Sequence, residues 1–352
     1  MIWGPGSIRP IGSTKNLYRR APIKESAIQS LPKEARTIDR AMRWLGQARP
    51  VEISSTFFIL FFLSLNLLFF NRIPSSQLLL VKYIGLLLLI VLARRTAERI
   101  EKKGWVLFRD FLPILLIFEV YDGLGYMLHV INPADADSSL IRIDRLLFGV
   151  DPSVWLERFA SPLLNDLMHL AYFSFYFLPI LLGIIFWVKG KRGAFNRLVL
   201  GATGAFYLCY LGYILVPAVG PRFTLAPLYR LPLEGTAITD FVRGVVATAE
   251  NLQWDCFPSG HTAVTLVVLW YAFREEHTAS YLFLPISALL LLSTLYCRYH
   301  YGIDLIAGAA VAAVSVWSAD WLEYLSVKRR ERSRRRVEAP MSTVPLSPRA
   351  GR

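Results

Sequence analysis

Two short polar stretches hold residues whose types and spacing could do chemistry. Residues 256–261 (Cys-Phe-Pro-Ser-Gly-His) form a turn of small residues that opens an apolar segment and ends in a histidine. Such a turn can bind an anion, because Gly260 leaves its backbone N–H accessible and the Ser259 hydroxyl can donate. The N-terminus of a helix adds partial positive charge at the same point. We therefore predict that Ser259 and Gly260 bind an anion and that His261 lies beside it.

The second stretch contains His300 and, four residues later, Asp304. On a helix, two residues at this spacing share one face. A carboxylate beside an imidazole fixes the tautomer of the ring and stabilises the cation that forms when the ring attacks. His300 is therefore the predicted nucleophile, supported by Asp304. His261 has no acidic residue adjacent in sequence, and we predict that it protonates the leaving oxygen and later deprotonates the acceptor.

The elements that must position these residues are membrane-spanning helices. With 54% hydrophobic residues, 18% charged residues and a mean hydropathy of +0.42, the composition excludes a soluble globular domain. The apolar residues fall into separate blocks of roughly 17 to 25, each long enough to cross about 30 Å of hydrocarbon. We predict an all-α, polytopic membrane protein with about eight transmembrane helices, at residues 54–71, 76–93, 106–130, 166–188, 197–217, 261–274, 279–297 and 301–321.

The chain divides into three predicted parts. Residues 1–53 are a basic, largely disordered cytoplasmic tail with a short interfacial helix at residues 35–47. Residues 54–321 are the transmembrane catalytic domain, and residues 322–352 are a second basic cytoplasmic tail. The N-terminal tail lacks the apolar core and cleavage site of a secretory signal, so no segment is expected to be removed.

The formal net charge of +13 is concentrated in the two tails and in the short loops at residues 94–103 and 189–197. This distribution follows the positive-inside rule and predicts no nucleic-acid partner. With eight spans, both termini are cytoplasmic and both histidines emerge on the extracytoplasmic face of the plasma (inner) membrane. The three cysteines have no Cys-x-x-Cys spacing and indicate neither a disulfide framework nor a zinc site.

Polar residues also fall at helical spacing inside two of the predicted spans. Ionisable groups inside a bilayer are costly and usually functional. We predict that both stripes line a substrate-binding cavity, the alternative for the first being hydrogen bonds between helices. The first stripe is Glu119, Asp122, Tyr126 and His129, at i, i+3, i+7 and i+10 of the third span, and the second is His169 and Tyr172 in the outer half of the fourth.

The two histidine motifs resemble those of the type 2 phosphatidic acid phosphatase (PAP2) superfamily, which includes lipid phosphate phosphatases and vanadium haloperoxidases. The resemblance lies in residues 258–261 (Pro-Ser-Gly-His) and in His300-x-x-x-Asp304. Residues 256–261 together with 299–301 (Tyr-His-Tyr) are similar to the inositolphosphotransferase branch, of the inositol phosphorylceramide synthase type. The resemblance implies a six-helix catalytic core, a phosphohistidine at His300, and no metal ion or cofactor.

The chain departs from the superfamily pattern at two motifs. The first motif of the superfamily has a lysine, six residues and Arg-Pro, whereas this chain has Leu215 at the lysine position and the reversed order Pro221-Arg222. The third motif has an arginine six residues before its histidine, whereas this chain has Thr294 there and Arg298 closer to the histidine. The resemblance therefore makes Arg222 and Arg298 the candidate phosphate-binding arginines.

We predict a lipid phosphotransferase that passes a phosphoryl or phospho-alcohol group, for example phosphoinositol, from a lipid donor to an alcohol or lipid acceptor. A lipid phosphate phosphatase, in which water replaces the alcohol, shares the first half-reaction and is the main alternative. Two further hypotheses stay open: a metal oxidase with His261, His300 and Asp304 as ligands, and a transporter or scramblase that uses the charges within the membrane. The donor headgroup, the acceptor and the oligomeric state are not indicated by the sequence.

Overall fold

The computed structural model describes residues 48–100, 102–249 and 252–338. Within these ranges the chain forms fourteen α-helices joined by turns and short 3-10 segments, and it contains no β-strand. The predicted all-α architecture is therefore confirmed. The interfacial helix predicted at residues 35–47 lies outside the described residues.

Each of the eight segments predicted to span the membrane is helical. The third segment is broken into two helices after Gly125, and the fourth is broken after Phe173. The last helix runs past the predicted end at residue 321, and residues 49–323 form one compact unit. In chain order the helices are α1 Pro50–Leu68, α2 Ser76–Arg99, α3 Lys103–Gly125, α4 Leu128–Ile131, α5 Asp137–Phe148, α6 Pro152–Leu156, α7 Pro162–Phe173, α8 Leu178–Val188, α9 Arg192–Leu215, α10 Pro221–Thr224, α11 Ala237–Ala249, α12 Gly260–Glu275, α13 His277–Tyr296 and α14 Gly302–Glu338.

Five helices are long and apolar enough to cross a membrane: α1, residues Ser76–Ala97 of α2, α9, α13 and residues Gly302–Arg332 of α14. The pair Pro162–Tyr176 and Leu178–Val188, bent by 46°, gives a sixth span if it is taken as one segment. Two predicted spans do not meet this test. α3 carries several charged side chains along its 23 residues, and the 16 residues of α12 extend only about 24 Å.

The outer surfaces of the spans are apolar. Phe57 of α1 is 62% exposed, Val81 of α2 is 68% exposed and Trp317 of α14 is 67% exposed. Exposed apolar surface on this scale is unfavourable in water, but in a bilayer these side chains meet lipid tails as apolar as they are. The exposure pattern therefore agrees with an integral membrane protein.

α9 packs against α1, α3, α8 and α12, and α12 in turn packs against α13. Glycines allow two close approaches around the first motif. A Cβ atom on Gly212 of α9 would overlap Pro258, and one on Gly308 of α14 would lie 2.6 Å from the carbonyl oxygen of Ser259. The turn that carries the first motif is thus held between α9 and α14.

The basic loops that the charge pattern assigns to the cytoplasm meet at one end of the unit. Lys189 and Lys191, between α8 and α9, form ion pairs of 2.7 and 3.0 Å with Glu276, between α12 and α13. Arg192 at the start of α9 pairs with Asp110 of α3 at 2.8 Å. These pairs hold together the helix ends that lie farthest from the two histidine motifs.

At the opposite end, Asp144 of α5 fixes the start of α14. Its carboxylate accepts hydrogen bonds from the backbone N–H groups of Gly302 (2.7 Å) and Ile303 (2.8 Å), which the start of a helix leaves without an intrahelical partner. Asp144 is buried, and burial raises the pKa of its carboxyl group above the ordinary value of an aspartate. The helix that carries Asp304 is thereby tied to α5.

Asp144→Ala is expected to lower the free energy of unfolding by about 1 to 3 kcal/mol, because two buried N–H groups lose their acceptor. Asp144→Asn keeps an oxygen acceptor and is expected to stay within about 1 kcal/mol of the wild type. Since the folded-state pKa is raised, the wild-type carboxyl group contributes most to stability at low pH and less as the pH rises through that pKa; the asparagine variant should lack this dependence. Thermal unfolding in detergent, with the exposed Glu234→Ala as control, measures both effects. An alanine variant as stable as the wild type would contradict the capping role.

Three more acidic side chains at this end hold the loop that joins α9 to α12. Each accepts hydrogen bonds from two backbone N–H groups of the loop, so that the loop path is set by carboxylates that come from α5 to α7. The acceptors are Asp137 for Val219 and Gly220, Glu157 for Arg230 and Leu231, and Asp166 for Thr236 and Thr239, at 2.8 to 3.2 Å.

Candidate active site

The first motif places His261 in the first turn of α12. Ser259 is the N-cap of this helix, and its hydroxyl oxygen accepts the N–H of Thr262 at 3.2 Å. The backbone N–H of Ser259 donates to the carbonyl oxygen of Asp304 at 3.1 Å. The two motifs are therefore joined directly by a backbone hydrogen bond. Gly260 packs closely against α9, since an added Cβ would lie 3.0 Å from the Tyr213 hydroxyl.

The second motif places His300 just before α14 and Asp304 in its first turn. The Nδ1 atom of His300 lies 2.9 Å from the carbonyl oxygen of Cys256 and 3.3 Å from Oδ2 of Asp304. Both neighbours are acceptors, so Nδ1 carries the ring proton and donates it. The lone pair of the neutral ring is then on Nε2, the atom that a nucleophile would use.

Asp304 is held in place by more than the histidine. Its Oδ2 atom also accepts the backbone N–H of Tyr301 at 2.7 Å and the Cys256 thiol at 2.9 Å. Asp304 is 0% exposed and His300 is 5% exposed. A buried carboxylate with several donors has a fixed orientation, and it fixes the orientation of the imidazole in turn.

The structure brings the two histidines together, as the sequence predicted. The ring centroids of His261 and His300 lie 5.7 Å apart with the planes at 60°. Tyr172 and Phe175 pack on His261 with ring centroids at 4.4 and 4.2 Å. Tyr299 stacks on Tyr172 at 4.5 Å. Aromatic rings therefore wall one side of the histidine pair.

Arg222 lies beside this aromatic wall. Its guanidinium carbon is 5.8 Å from the centroid of the Tyr299 ring, and the side chain is exposed. The turn before it requires glycine: Gly220 has φ +90°, and a Cβ there would lie 2.9 Å from the carbonyl oxygen of Tyr299 and 3.1 Å from the sulfur of Cys256. The turn that carries Arg222 is thus packed directly against both histidine motifs.

Arg298 contacts the outer loops, and its predicted contact with phosphate stays a prediction. Its guanidinium forms an ion pair with Glu157 at 3.1 Å, donates to the carbonyl oxygen of Leu231 at 2.6 Å and stacks on the ring of Tyr229 at 3.8 Å. Arg298 has a φ of +66°, in the left-handed region. The side chain joins α13 to the outer loops.

Two residues of the first polar stripe contact a lysine of the neighbouring helix. Glu119 and Asp122 of α3 form ion pairs with Lys82 of α2, at 2.9 and 2.6 Å. Lys82 bridges the two carboxylates between two helices and compensates one of their two negative charges, which is the interhelical alternative considered for this stripe. The predicted substrate-binding role of Glu119 and Asp122 is therefore not supported by their contacts.

The stripe also loses its helical register, because α3 ends at Gly125 and α4 begins at Leu128. Tyr126 is 41% exposed at this break. His129 stacks on the ring of Trp254 at 4.9 Å. The break interrupts the helical spacing on which the predicted stripe rests, and His129 contacts a residue just before the first histidine motif.

His169 and Tyr172 do lie by the site. The Nδ1 atom of His169 is 2.7 Å from the carbonyl oxygen of Asn165, and its Nε2 accepts a hydrogen bond from Nε of Arg243 at 3.3 Å. Sequence reasoning missed Arg243, which lies on α11 within a long loop and has no motif around it. It also missed Cys256 as a partner of Asp304, although Cys256 opens the first motif.

Three buried side chains offer atoms that could hold a metal ion. The ligand atoms of Cys256, His300 and Asp304 all lie within 4.8 Å of one another. This set differs from the predicted alternative, in which His261 was the third ligand. Burial, and next the charge of Asp304, raise the pKa of the Cys256 thiol well above its usual range. The thiol donates to Asp304, and a metal bound here would displace this proton, because it binds the thiolate.

Comparisons with known proteins agree with this geometry. A PA-phosphatase related-family protein of Dictyostelium discoideum is 28% identical over 109 residues, which cover 30% of this chain and 20% of that protein. The chain thus matches about one fifth of the relative's length. No solved structure matches the chain. The finer similarity to the inositolphosphotransferase branch stays a prediction.

A family model described as the PAP2 superfamily matches residues 138–318, just over half of the chain. The matched residues run from α5 to α14 and include both histidine motifs, the loop with Arg222 and the helices that bring these parts together. On this match the chain belongs to the PAP2 superfamily.

Proposed function

We propose that the chain is a membrane-embedded lipid phosphotransferase that works through a phosphohistidine on His300. One observation carries this assignment: Nδ1 of His300 is held between two acceptors, Asp304 and the carbonyl oxygen of Cys256. Nε2 is therefore a preformed nucleophile in a neutral ring. A second histidine, His261, lies 5.7 Å away, centroid to centroid, in position for proton transfer.

In the first half-reaction, Nε2 of His300 forms a bond to phosphorus, and the P–O bond to the lipid breaks. His261 gives its proton to the leaving oxygen. The phosphorylated imidazole is a cation, and the carboxylate of Asp304 stabilises it through the Nδ1–H bond. The N-terminus of α12 and Arg222 stabilise the non-bridging oxygens.

In the second half-reaction, an acceptor hydroxyl takes the place of the departed lipid. His261 removes the proton of the hydroxyl, the oxygen bonds to phosphorus, and the N–P bond to His300 breaks. The proton on His261 and the neutral ring of His300 are then restored. Burial of His300 and the rings of Tyr172 and Phe175 limit the access of water, which favours transfer to an alcohol.

Hydrolysis is the second candidate, and two observations favour it. Glu119 and Asp122, which could have bound an acceptor alcohol, are paired with Lys82 instead. The Dictyostelium relative is described as a PA-phosphatase related-family protein. In this case water enters in the second half-reaction and the product is free phosphate.

We place the site on the extracytoplasmic face of the plasma (inner) membrane, because the basic loops lie at the other end of the helices. Both termini are then cytoplasmic. A cysteine introduced at the exposed Glu234 should react with a membrane-impermeant reagent in intact cells, and one at the exposed Thr278 should not. The reverse labelling would place the site in the cytoplasm.

Labelled phosphatidylinositol and phosphatidic acid, each incubated with the purified full-length chain in detergent, test the proposed function. The label should appear on an added lipid alcohol if the chain is a transferase, and in water alone if it is a phosphatase. If neither lipid phosphate is cleaved, the result would oppose both the transferase and the phosphatase. A chelator should leave the rate unchanged; loss of activity that a metal restores would instead support a metal held by Cys256, His300 and Asp304.

Cys256→Ala is expected to lower kcat about 10-fold, because the buried carboxylate of Asp304 loses a donor and its hold on His300 loosens. Cys256→Ser keeps a donor and is expected to stay within about 3-fold of the wild type. The buried Cys209→Ala, on α9, is the matched control. The two substitutions at Cys256 are compared over a range of pH, and an alanine variant as active as the serine variant would show that the thiol does not position Asp304.

A further inference from the structure

Arg243 is a half-buried cation on α11 that the reaction described above does not use. Its Nε atom donates to Nε2 of His169 at 3.3 Å, and its Nη2 atom donates to the carbonyl oxygen of Leu233. A guanidinium has five N–H donors. The two bonds orient the group and leave other donors for a ligand.

The charge of Arg243 is not compensated by its partners. Nδ1 of His169 faces the carbonyl oxygen of Asn165 and carries the ring proton, so Nε2 is the acceptor and the ring is neutral. Leu233 offers a carbonyl oxygen, which is also neutral. Across residues 48–100, 102–249 and 252–338, no carboxylate forms an ion pair with Arg243. Such a cation in a partly buried position attracts an anion.

Packing places α11 against the aromatic rings beside the histidine pair. Its neighbour Val242 and, one turn later, Val246 pack in one cluster with Tyr172 and Tyr299. The ring of Tyr172 contacts His261 at 4.4 Å. Arg243 therefore borders the same aromatic wall that Arg222 approaches.

Arg222 and Arg243 lie on different helices, and both helices border the Tyr172–Tyr299 ring pair. Arg222 lies on α10 over the ring of Tyr299, at 5.8 Å, and Arg243 lies on α11 against His169. Both cations are within electrostatic reach of His169. Arg298, by contrast, is neutralised by Glu157.

We propose that Arg243 binds the phosphate group of the lipid headgroup, with Arg222 on the other side of the Tyr172–Tyr299 pair and with His169 fixing the orientation of the guanidinium. This role rests on the proposed function, since a lipid phosphate must first enter the site. The N–H groups of Arg243 that point away from His169 bind non-bridging oxygens. Because α11 belongs to the loop that joins α9 to α12, the same phosphate would hold this loop against the site.

The test compares Arg243→Gln and Arg243→Lys with the matched control Arg158→Gln. Arg158 is an exposed outer-loop arginine that stacks on Trp155, at 4.6 Å. With phosphatidic acid as substrate, Arg243→Gln is expected to lower kcat/KM about 10- to 100-fold, mainly through KM. Arg243→Lys should recover part of the loss, and Arg158→Gln should match the wild type. Wild-type kcat/KM in Arg243→Gln would overturn the assignment.

Binding of inorganic phosphate separates this assignment from the proposed function. Phosphate should raise the unfolding temperature of the wild type and of Arg158→Gln but not that of Arg243→Gln. A wild type that binds phosphate but cleaves no lipid phosphate would leave Arg243 assigned and sink the proposed function. If phosphate raises the unfolding temperature of Arg243→Gln as much as that of the wild type, the assignment of Arg243 is overturned and the proposed function still stands.

A third measurement covers the case in which Arg243→Gln does not fold. Phenylglyoxal modifies accessible arginines, and mass spectrometry locates the modified residues in the wild-type chain. Phosphate should protect Arg243 and leave the modification of Arg158 unchanged. Absence of protection at Arg243 would overturn the assignment without any variant.

Discussion

His300→Ala should lower the rate of lipid phosphate cleavage by roughly 10⁴-fold or more, a loss of about 5.5 kcal/mol of transition-state stabilisation. The reason is that the substitution removes the atom that bonds to phosphorus. No neighbouring group of the site can replace it: the Cys256 thiol is protonated by burial, and His261 is needed for proton transfer. Labelled substrate and a rapid quench should give an acid-labile phosphoenzyme in the wild type and none in the variant.

His277→Ala is the matched control for this substitution. His277 is exposed at the start of α13, at the end of the helices where the basic loops meet, and it should tolerate alanine with full activity. His277→Ala should unfold at the wild-type temperature, whereas His300→Ala should unfold at a lower one, because it removes a buried side chain that donates to Asp304. The His300→Ala assay is therefore run below that temperature. Cleavage of lipid phosphate by His300→Ala at the wild-type rate would rule out the phosphohistidine mechanism.

The core of this site could be predicted because its pairing is local. His300 and Asp304 are four residues apart, and the helix start at residue 302 keeps them close although His300 precedes the helix. The meeting of His261 with His300 needs only that both motifs lie at the same end of their helices. Composition is equally direct, since apolar blocks of spanning length leave few alternatives to helices.

What could not be predicted depends on contacts between distant residues. Arg298 lies two residues before His300, and its backbone is in the left-handed region. Its side chain forms an ion pair with Glu157, which is distant in sequence. Glu119 follows the periodicity of a functional stripe, but its charge is neutralised by Lys82 on another helix. Arg243 has no local signal at all, because its partner His169 is 74 residues away.

The carboxylates that fix the outer loops were also hidden from sequence. Asp137, Asp144 and Glu157 accept backbone N–H groups from segments about 70 to 160 residues further along the chain. Their spacing shows no motif, since each bond is set by the tertiary path of the loop. An acidic stretch beside a long loop is a weak signal of this arrangement, and it does not identify which backbone groups are bound.

Asp304→Asn is the most informative single change, because its effects on stability and on activity should differ in sign. The asparagine has the same shape, and its oxygen can take the position of Oδ2, where the Tyr301 N–H and the Cys256 thiol donate. The amide nitrogen then occupies the position of Oδ1. A neutral group in a fully buried position costs less than a charge, so the unfolding temperature should equal or exceed that of the wild type.

Activity should fall by roughly 10² to 10⁴-fold in the same variant, because a neutral amide does not stabilise the cation that forms when His300 is phosphorylated. If the amide rotates instead, its N–H faces Nδ1, the ring proton moves to Nε2 and the nucleophilic lone pair is lost. Both orientations slow the first half-reaction, so the labelled phosphoenzyme should form more slowly. Asp320→Asn, midway along α14 in an ion pair with Arg274, should keep its activity within about 2-fold. A stable Asp304→Asn with wild-type turnover would mean that orientation of His300, and not the charge beside it, is all that the reaction requires of this residue.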